Sequence, residues 1–355
     1  MAIPFIHVQA RGTYRELGRA VGEAAREQVR ASVDFFAGGF EAMTCGRLTF
    51  AAAEEQAHAY ATCAERWLPQ YVDELRGLAE GSGVPFTKLM VLNCAEEFTA
   101  TEPVGGDHCT AVAVAARGRH VVGHNMDWYV IDAENNVLFD LTVPDGTRIM
   151  GIAGAPYLLM LGMNSHGVAN VSNSVYSSDN RVGVPNAFVR RWSIEAPTLE
   201  EARARGLLAA RARGTNHFLA DLGSRLWDVE TSATAYAFID RSDAGTMAHT
   251  NHFTSPLMAP FEGTRHEESR VRLETAERLL TEGVSRGDDP VALVSRVLRC
   301  HDPSAEYAIC GHADESVALA AQGMTVGSMV CDLDERVLYA CAGPPCENQY
   351  QTFSL

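Results

Sequence analysis

Apolar positions in the first hundred residues recur at helical spacing. Thr13 with Glu16 three positions later has the form of a capping box, and Leu17, Val21, Ala24, Ala25, Val29 and Val33 then share one helical face. The pattern predicts a helix from Thr13 that weakens near Gly38-Gly39, because glycine loses the most backbone entropy on ordering. A second helical region is expected over residues 50–79, broken at Pro69, whose ring and missing N–H interrupt a helix. A short helix over 87–98 follows. The polar, turn-rich stretch 99–108, with Pro103 and Gly105-Gly106, reads as a linker.

At Cys109 the period changes from helical to strand-like. Residues 109–116 (CTAVAVAA) form a small-residue, β-compatible run, Arg117-Gly118 offers a turn, and 120–125 reads as a partner strand. Residues 137–143 and 147–152 flank Pro144-Asp145-Gly146, a hairpin signal, and strands are expected again over 157–162 and 167–175. Helices are expected near 187–194 and 199–212, and strands near 225–229 and 233–240. Further helices follow near 269–282 and 290–298, and a final β region runs from about 324 to the end. Hairpin-linked strands with helices before and between them predict antiparallel sheets covered by helical layers, an α+β fold.

Composition narrows the function. The chain has 355 residues, 46% of them apolar and 21% charged, as in an ordinary water-soluble protein able to bury a real pocket. Its 29 basic residues face 45 acidic ones, a formal net charge of −16, and lysines are very few. That balance repels a phosphate backbone, so nucleic acid is excluded as a partner and anionic membranes are disfavoured. No stretch reaches the roughly 18 apolar residues needed to span a bilayer, and the N-terminus lacks the form of a secretory signal. Nine scattered cysteines without repeated spacing are expected to be reduced, which together with the missing signal implies a cytoplasmic protein.

The glycine-containing stretch ending in Cys109 carries the chemistry. A thiol attacks a carbonyl well when a base takes its proton and donors stabilise the oxyanion. A cysteine at the N-terminus of its chain supplies that base itself, because an α-amine titrates at about 7.7–8.0. In the intact chain the amine is locked in the His108–Cys109 peptide. Attack by the thiol on the preceding carbonyl, an N-to-S acyl shift and hydrolysis would free it, and a loop tolerating strained backbone suits that step.

Four segments occur in order: Asp107-His108-Cys109-Thr110-Ala111, Gly123-His124-Asn125-Met126-Asp127-Trp128, Gly162-Met163-Asn164-Ser165-His166-Gly167-Val168 and His249-Thr250-Asn251-His252. Together they resemble the motifs of the acyl-coenzyme A:isopenicillin N acyltransferase family of N-terminal-nucleophile hydrolases, over roughly residue 109 to the C-terminus. Four motifs in order are specific where one is not. The resemblance implies a four-layer αββα sandwich. It also implies that residues 1–108, a mainly helical precursor segment, stay bound as a small subunit beside a catalytic segment, 109–355, the two forming one domain. Residue by residue, it implies Cys109 as nucleophile with its freed amine as base, and Asp127 as the group holding that amine or positioning the thiol. Asn251 would be the oxyanion donor, and Asn173, His124 and Trp128 would line the substrate site. The chain departs from the family pattern at His108, where members usually have glycine. It departs again at positions matching Gly311 and Gln322, where penicillin-forming members carry arginines, which argues against penicillin as its substrate.

Each candidate also has a plainer reading: a buried structural cysteine, a strand-end aspartate, or asparagines that satisfy backbone groups. Metal is not expected. His249 and His252 would point to opposite faces of a strand, and Cys300-His301 with Cys310 and His312 lacks a pair of CxxC or CxH spacings. The expected function is therefore cofactor-free cleavage or transfer of the acyl group of a small amide, through a thioester on Cys109. One alternative is an acyl-coenzyme A-dependent N-acyltransferase; another is an unprocessed, non-enzymatic metal- or ligand-binding protein on the same scaffold. Oligomeric state and substrate identity are not encoded in any motif.

Overall fold

Successive side chains of a strand point to opposite faces, so a sheet covered on both sides must be apolar at every position. The run after Cys109 meets that condition. The structure, a computed structural model, describes residues 4–99, 109–263 and 267–355. The chain order is β1 (Ile6–Arg11), α1 (Tyr14–Ala24), α2 (Arg26–Met43), α3 (Phe50–Trp67), α4 (Pro69–Ser82), α5 (Phe86–Asn93), α6 (Ala95–Thr99), β2 (Thr110–Ala116), β3 (Arg119–Tyr129), α7 (Asp132–Asn135), β4 (Asn136–Thr142), β5 (Arg148–Gly154), β6 (Gly162–Asn164) and β7 (Val168–Val171). It continues with α8 (Asn186–Ile194), α9 (Leu199–Gly206), β8 (Thr215–Asp221), β9 (Leu226–Thr231), β10 (Tyr236–Asp240), β11 (Thr246–His249), α10 (Glu267–Arg286), α11 (Pro290–Leu298), β12 (Gly323–Asp332), β13 (Val337–Ala342) and β14 (Gln351–Ser354).

These strands form two sheets. The larger has the order β1-β4-β5-β6-β7-β8-β9-β10, the smaller β11-β2-β3-β12-β13-β14. In β2, Ala111 and Ala113 face the other sheet and pack with Leu138, Met150, Ile152 and Phe218. The intervening Val112 and Val114 face outward onto Leu280, Leu293, Val294 and Leu298 of α10 and α11. On the far side of the larger sheet, Val137, Phe139 and Leu141 of β4 pack with Leu17, Val33, Phe36 and Leu75 of the N-terminal helices. Helices, sheet, sheet and helices therefore stack as the four-layer αββα sandwich, with three apolar interfaces.

Local signals hold where they are strong. Thr13 and Glu16 form the reciprocal capping box, with the Thr13 N–H donating to Glu16 Oε2 at 2.8 Å. Pro69 opens α4, where its missing N–H costs nothing. Arg117 and Gly118, with φ of 56° and 71°, turn β2 into β3 with the two left-handed residues that suit a tight hairpin.

Two expectations need correction. The helix from Thr13 breaks at Ala25, which has φ −115° and ψ 32°, so α1 and α2 are separate. Gly38 and Gly39 fall in the last turns of α2, which runs on to Met43 with Phe36, Phe40 and Met43 buried. Residues 157–161 are not a strand, although Leu158, Leu159 and Leu161 are buried. Strands β1 and β8 were not foreseen, and β11 only in the placing of His249 on a strand. β1 pairs in parallel with β4, Val8 opposite Phe139, a partner too distant in sequence for local patterning to reveal. The linker at residues 100–108 lies outside the described residues. Among those described, no helix is long and apolar enough to cross a membrane.

Glycine spacing explains one helix contact. Gly18 and Gly22 of α1 lie against Gly77 and Gly81 of α4 so closely that side chains have no room. A Cβ on Gly77 would stand 2.0 Å from the Arg15 carbonyl oxygen, and one on Gly18 would stand 1.8 Å from that of Glu74. At the exposed Gly38 nothing lies within 4 Å. The same substitution therefore has opposite signs. Gly77→Ala should destabilise the protein by about 1–3 kcal/mol or more through overpacking. Gly38→Ala should stabilise it by up to about 1 kcal/mol through helix propensity. Chemical denaturation of both variants against the parent reads the two signs.

Candidate active site

Cys109 stands one residue before β2, and its thiol reaches across to the neighbouring strand β3. The Asp127 N–H donates to Cys109 Sγ at 3.4 Å, and the thiol lies 3.7 Å from the Asp127 carbonyl oxygen. Hairpin pairing of β2 with β3, which sets Thr110 opposite Asn125, brings these positions together. Cys109 is 8% exposed and lines a cavity of about 70 Å³. Asp127 and Trp128 line the same cavity, with apolar walls from Leu92, Met126, Met160 and Leu161. The Asp127 carboxylate accepts a hydrogen bond from Thr325 Oγ1 of β12 at 2.6 Å.

Asn251 is placed differently. It follows β11, is 1% exposed, and lies beside Cys109 through a shared partner, Arg272. Its Nδ2 donates to the carbonyl oxygen of Ser174, a wall residue, at 3.1 Å. Its Oδ1 accepts from Arg272 Nη2 at 2.9 Å, while Arg272 Nη1 donates to the Cys109 carbonyl oxygen at 2.9 Å and to Thr110 Oγ1 at 3.0 Å. One buried guanidinium thus joins the backbone of the candidate nucleophile to the side chain of the candidate oxyanion donor. Holding Oδ1 fixes which end of the Asn251 amide is the donor end. That end carries two hydrogens, of which Ser174 takes one.

His124 and Asn173 are not among the cavity-lining residues. They bond to each other between the sheets: His124 Nε2 lies 3.1 Å from Asn173 Oδ1 and 3.1 Å from the Ser172 carbonyl oxygen. Asn173 Nδ2 donates to the His249 carbonyl oxygen at 2.9 Å. Burial pushes the His124 imidazole down to about 4, so it is neutral at physiological pH. Both residues brace Ser172 and Ser174, which do line the cavity, and their geometry is that of a support. Trp128 donates from Nε1 to the Tyr157 hydroxyl at 3.0 Å, inside the cavity wall. His108 lies outside the described residues. His249 belongs to another buried group. Burial pushes its imidazole down, but Asp228 at 3.5 Å and Glu230 at 3.0 Å prevail and raise it to about 9.

Sequence reasoning missed much of the wall. Glu96, Glu97 and Asn93 come from α5 and α6, so the first hundred residues help to build the cavity that holds Cys109. Burial pushes the Glu96 carboxyl up, but Arg190 and Arg213 outweigh it and hold it at about 2. Glu96 Oε1 pairs with Arg190 at 2.8 Å and accepts from Ser174 Oγ at 2.8 Å. Burial raises Glu97 to about 7, and likewise Asp132, despite a hydrogen bond from Ser32 Oγ at 3.0 Å. Arg272 was also missed. The helix EESRVRLETAERLLTEGVSR looks charged throughout, yet Ser269, Arg272, Thr275, Ala276 and Leu280 are its buried positions, and their spacing marks an inner face.

The family profile described as "Acyl-coenzyme A:6-aminopenicillanic acid acyl-transferase" matches residues 114–316. A curated relative from Emericella nidulans (strain FGSC A4), "Acyl-coenzyme A:6-aminopenicillanic-acid-acyltransferase 40 kDa form", is 24% identical over 248 residues, covering 70% of this chain and 69% of its own. Among solved structures, penicillin V acylase from Agrobacterium tumefaciens matches with a TM-score of 0.46 at 15% identity, over 66% of this chain and 82% of that one. A variant of conjugated bile acid hydrolase from Clostridium perfringens matches with a TM-score of 0.45 at 12% identity, over 70% and 97%.

The raised Asp132 carboxyl makes a pH prediction. Its folded pKa of about 7 exceeds the ordinary carboxyl value, so the folded state holds the proton more tightly than the unfolded state. Its contribution is then complete below about pH 4, declines as pH rises to about 7, and is flat beyond. Asp132→Asn should lack this decline. The stability of the parent relative to the variant should fall across that window by on the order of 2–4 kcal/mol, read from denaturant midpoints.

Proposed function

Because the chain belongs to the acyl-coenzyme A:6-aminopenicillanic acid acyl-transferase family, we propose that it is a self-processing enzyme that cleaves or transfers the acyl group of a small amide through a thioester on Cys109. The observation carrying this reading is the Cys109 thiol, which lines an apolar cavity and is held at the Asp127 main chain. In the activating step the thiol attacks the His108 carbonyl, the acyl group moves from nitrogen to sulfur, and water releases the His108 carboxylate. The Cys109 α-amine is then free. In turnover that amine takes the thiol proton while sulfur attacks the substrate carbonyl, and it returns the proton to the leaving amine as the C–N bond breaks. Water or a second amine then resolves the thioester, giving hydrolysis or transfer.

Asp127 positions the thiol through its main chain and the new amine through its carboxylate. Asn251, oriented by Arg272, donates to the oxyanion with the second hydrogen of its amide. The apolar wall suits the acyl portion of an N-acyl amine, amino acid or peptide-like compound. The E. nidulans relative is named for an acyl-coenzyme A acyltransferase, which favours acyl-coenzyme A as an alternative donor. Residues 1–108 remain bound after the cut. Support comes from the buried ion network in which Glu74 of α4 pairs with Arg191 of α8 at 3.1 Å, and Tyr14 and Tyr71 donate to Glu195 at 2.9 and 2.8 Å.

Intact-mass measurement should find two copurifying fragments, residues 1–108 and 109–355, and Cys109→Ala should give one uncut, inactive chain. A fully active enzyme found only as the uncut chain would remove the mechanism. Asn251→Ala should process but turn over roughly a hundred- to a thousand-fold more slowly, the usual cost of about 2.7–4 kcal/mol for one oxyanion donor. Single-turnover kinetics on the processed variant measures this. A rate within a few-fold of the parent would take Asn251 out of the reaction.

A further inference from the structure

Away from the cavity, the fold gathers four soft ligands that the sequence keeps apart. His301 follows α11, Cys310 and His312 lie in the loop before β12, and Cys346 sits in the turn between β13 and β14. Their ligand atoms all fall within 4.8 Å of one another. Cys310 Sγ and Cys346 Sγ are 3.5 Å apart, the Nε2 atoms of His301 and His312 are 3.0 Å apart, and Cys346 Sγ is 3.3 Å from His312 Nε2. A tetrahedral zinc ion with bonds of about 2.3 Å to sulfur and about 2.0–2.1 Å to nitrogen needs ligand separations of about 3.3–3.8 Å. Those three distances approach these values, and the remaining ligand atoms lie within 4.8 Å of one another.

We propose that His301, Cys310, His312 and Cys346 form a structural Zn²⁺ site. Four protein ligands close the coordination sphere, as in structural zinc centres, and leave no position for a reacting water. On binding, the two thiols release two protons to solvent and ligate as thiolates beside two neutral imidazoles, so the site carries no net charge. A carboxylate stands behind one ligand: His312 Nδ1 lies 3.4 Å from Glu347 Oε1, the outer-shell contact that fixes the tautomer of a metal-bound histidine. The turn that carries Cys346 is anchored to the end of α11 by Arg299, which donates to the Pro345 carbonyl oxygen at 2.8 Å. Sequence spacing argued against zinc here because Cys310-Gly311-His312 is a lone CxH pair; Cys346 becomes a ligand only through the β12–β13 hairpin.

The ion would also act at a distance. Its ligands Cys310 and His312 bracket Gly311, whose N–H donates to Thr325 Oγ1 at 2.9 Å while its carbonyl oxygen accepts from the Thr325 N–H at 3.1 Å. Thr325 in turn holds the Asp127 carboxylate. Zinc would therefore stiffen the loop that positions Asp127. This bearing on Asp127 depends on the catalytic reading above; the site itself does not.

The test uses the full chain, reduced, stripped with a chelator and titrated with Zn²⁺ against a chromophoric competitor. One Zn²⁺ per chain should bind, and Co²⁺ should give the absorption of a tetrahedral ion with thiolate charge transfer. Cys346→Ser and His301→Ala, both at exposed positions, should abolish stoichiometric binding, and Glu347→Gln should weaken it about ten-fold. Absence of stoichiometric zinc after reduction, an octahedral cobalt spectrum, or unchanged affinity in Cys346→Ser would each overturn the proposal. A Cys310–Cys346 disulfide, read as a mass two hydrogens lower, with no zinc uptake after reduction would also overturn it. All these readouts are independent of turnover.

Discussion

A buried guanidinium directs its donors at the oxygens around it, and it fixes whatever it binds. Arg272 of α10 does this beside Cys109. It grips the Cys109 carbonyl, the Thr110 hydroxyl and the Asn251 amide oxygen, which belong to the start of β2 and to the chain just past β11. Burial lowers its pKa from the ordinary value, a measure of how costly the charge is there. Hydrogen bonds to a charged donor are among the stronger ones in a dry interior, so the three acceptors are held to a common geometry. The outer helical layer thereby reinforces a relation between Cys109 and Asn251 that the pairing of β11 with β2, His249 opposite Ala111, already sets.

The second constraint is that the cavity is built from segments on both sides of the candidate cleavage point, residues 92–97 before it and 109–190 after it. Leu92, Asn93, Glu96 and Glu97 reach it from the N-terminal helices, and Met126, Trp128, Tyr157 and Arg190 from the later segment. Apolar contact joins the two parts through Leu17, Phe36 and Leu75 against Val137 and Phe139. Buried charge joins them through Glu96 with Arg190 and Glu74 with Arg191. Losing one member of such a pair leaves its partner uncompensated, which typically costs about 3–5 kcal/mol. A cut in the chain near residue 108 would leave these contacts in place, and the pocket would keep its wall.

Much of this was legible before the structure, and what was not has physical reasons. The change from helical to strand period at Cys109 placed the residue correctly at the edge of β2, because adjacent hairpin strands leave a local pattern. The capping box at Thr13 and the break at Pro69 are local too. β1 was invisible because its partner β4 lies far along the chain and its edge position leaves only Val8 fully covered. Arg272 was hidden by its charged neighbours, although the spacing of Ser269, Thr275, Ala276 and Leu280 carried the signal. His124 and Asn173 were expected at the substrate, and instead bond to each other behind the wall. A side chain's residue type announces its chemistry, but only packing decides which face of a strand it serves.

The central claim is that an acyl group passes through Cys109. The most direct measurement is an acid quench of the purified protein during turnover of a small N-acyl amide, followed by peptide mass mapping. The account predicts one added acyl group, labile to hydroxylamine as a thioester, on the peptide whose first residue is Cys109. An acyl group found on a different cysteine, or turnover of the same substrate with Cys109 alkylated beforehand, would contradict it.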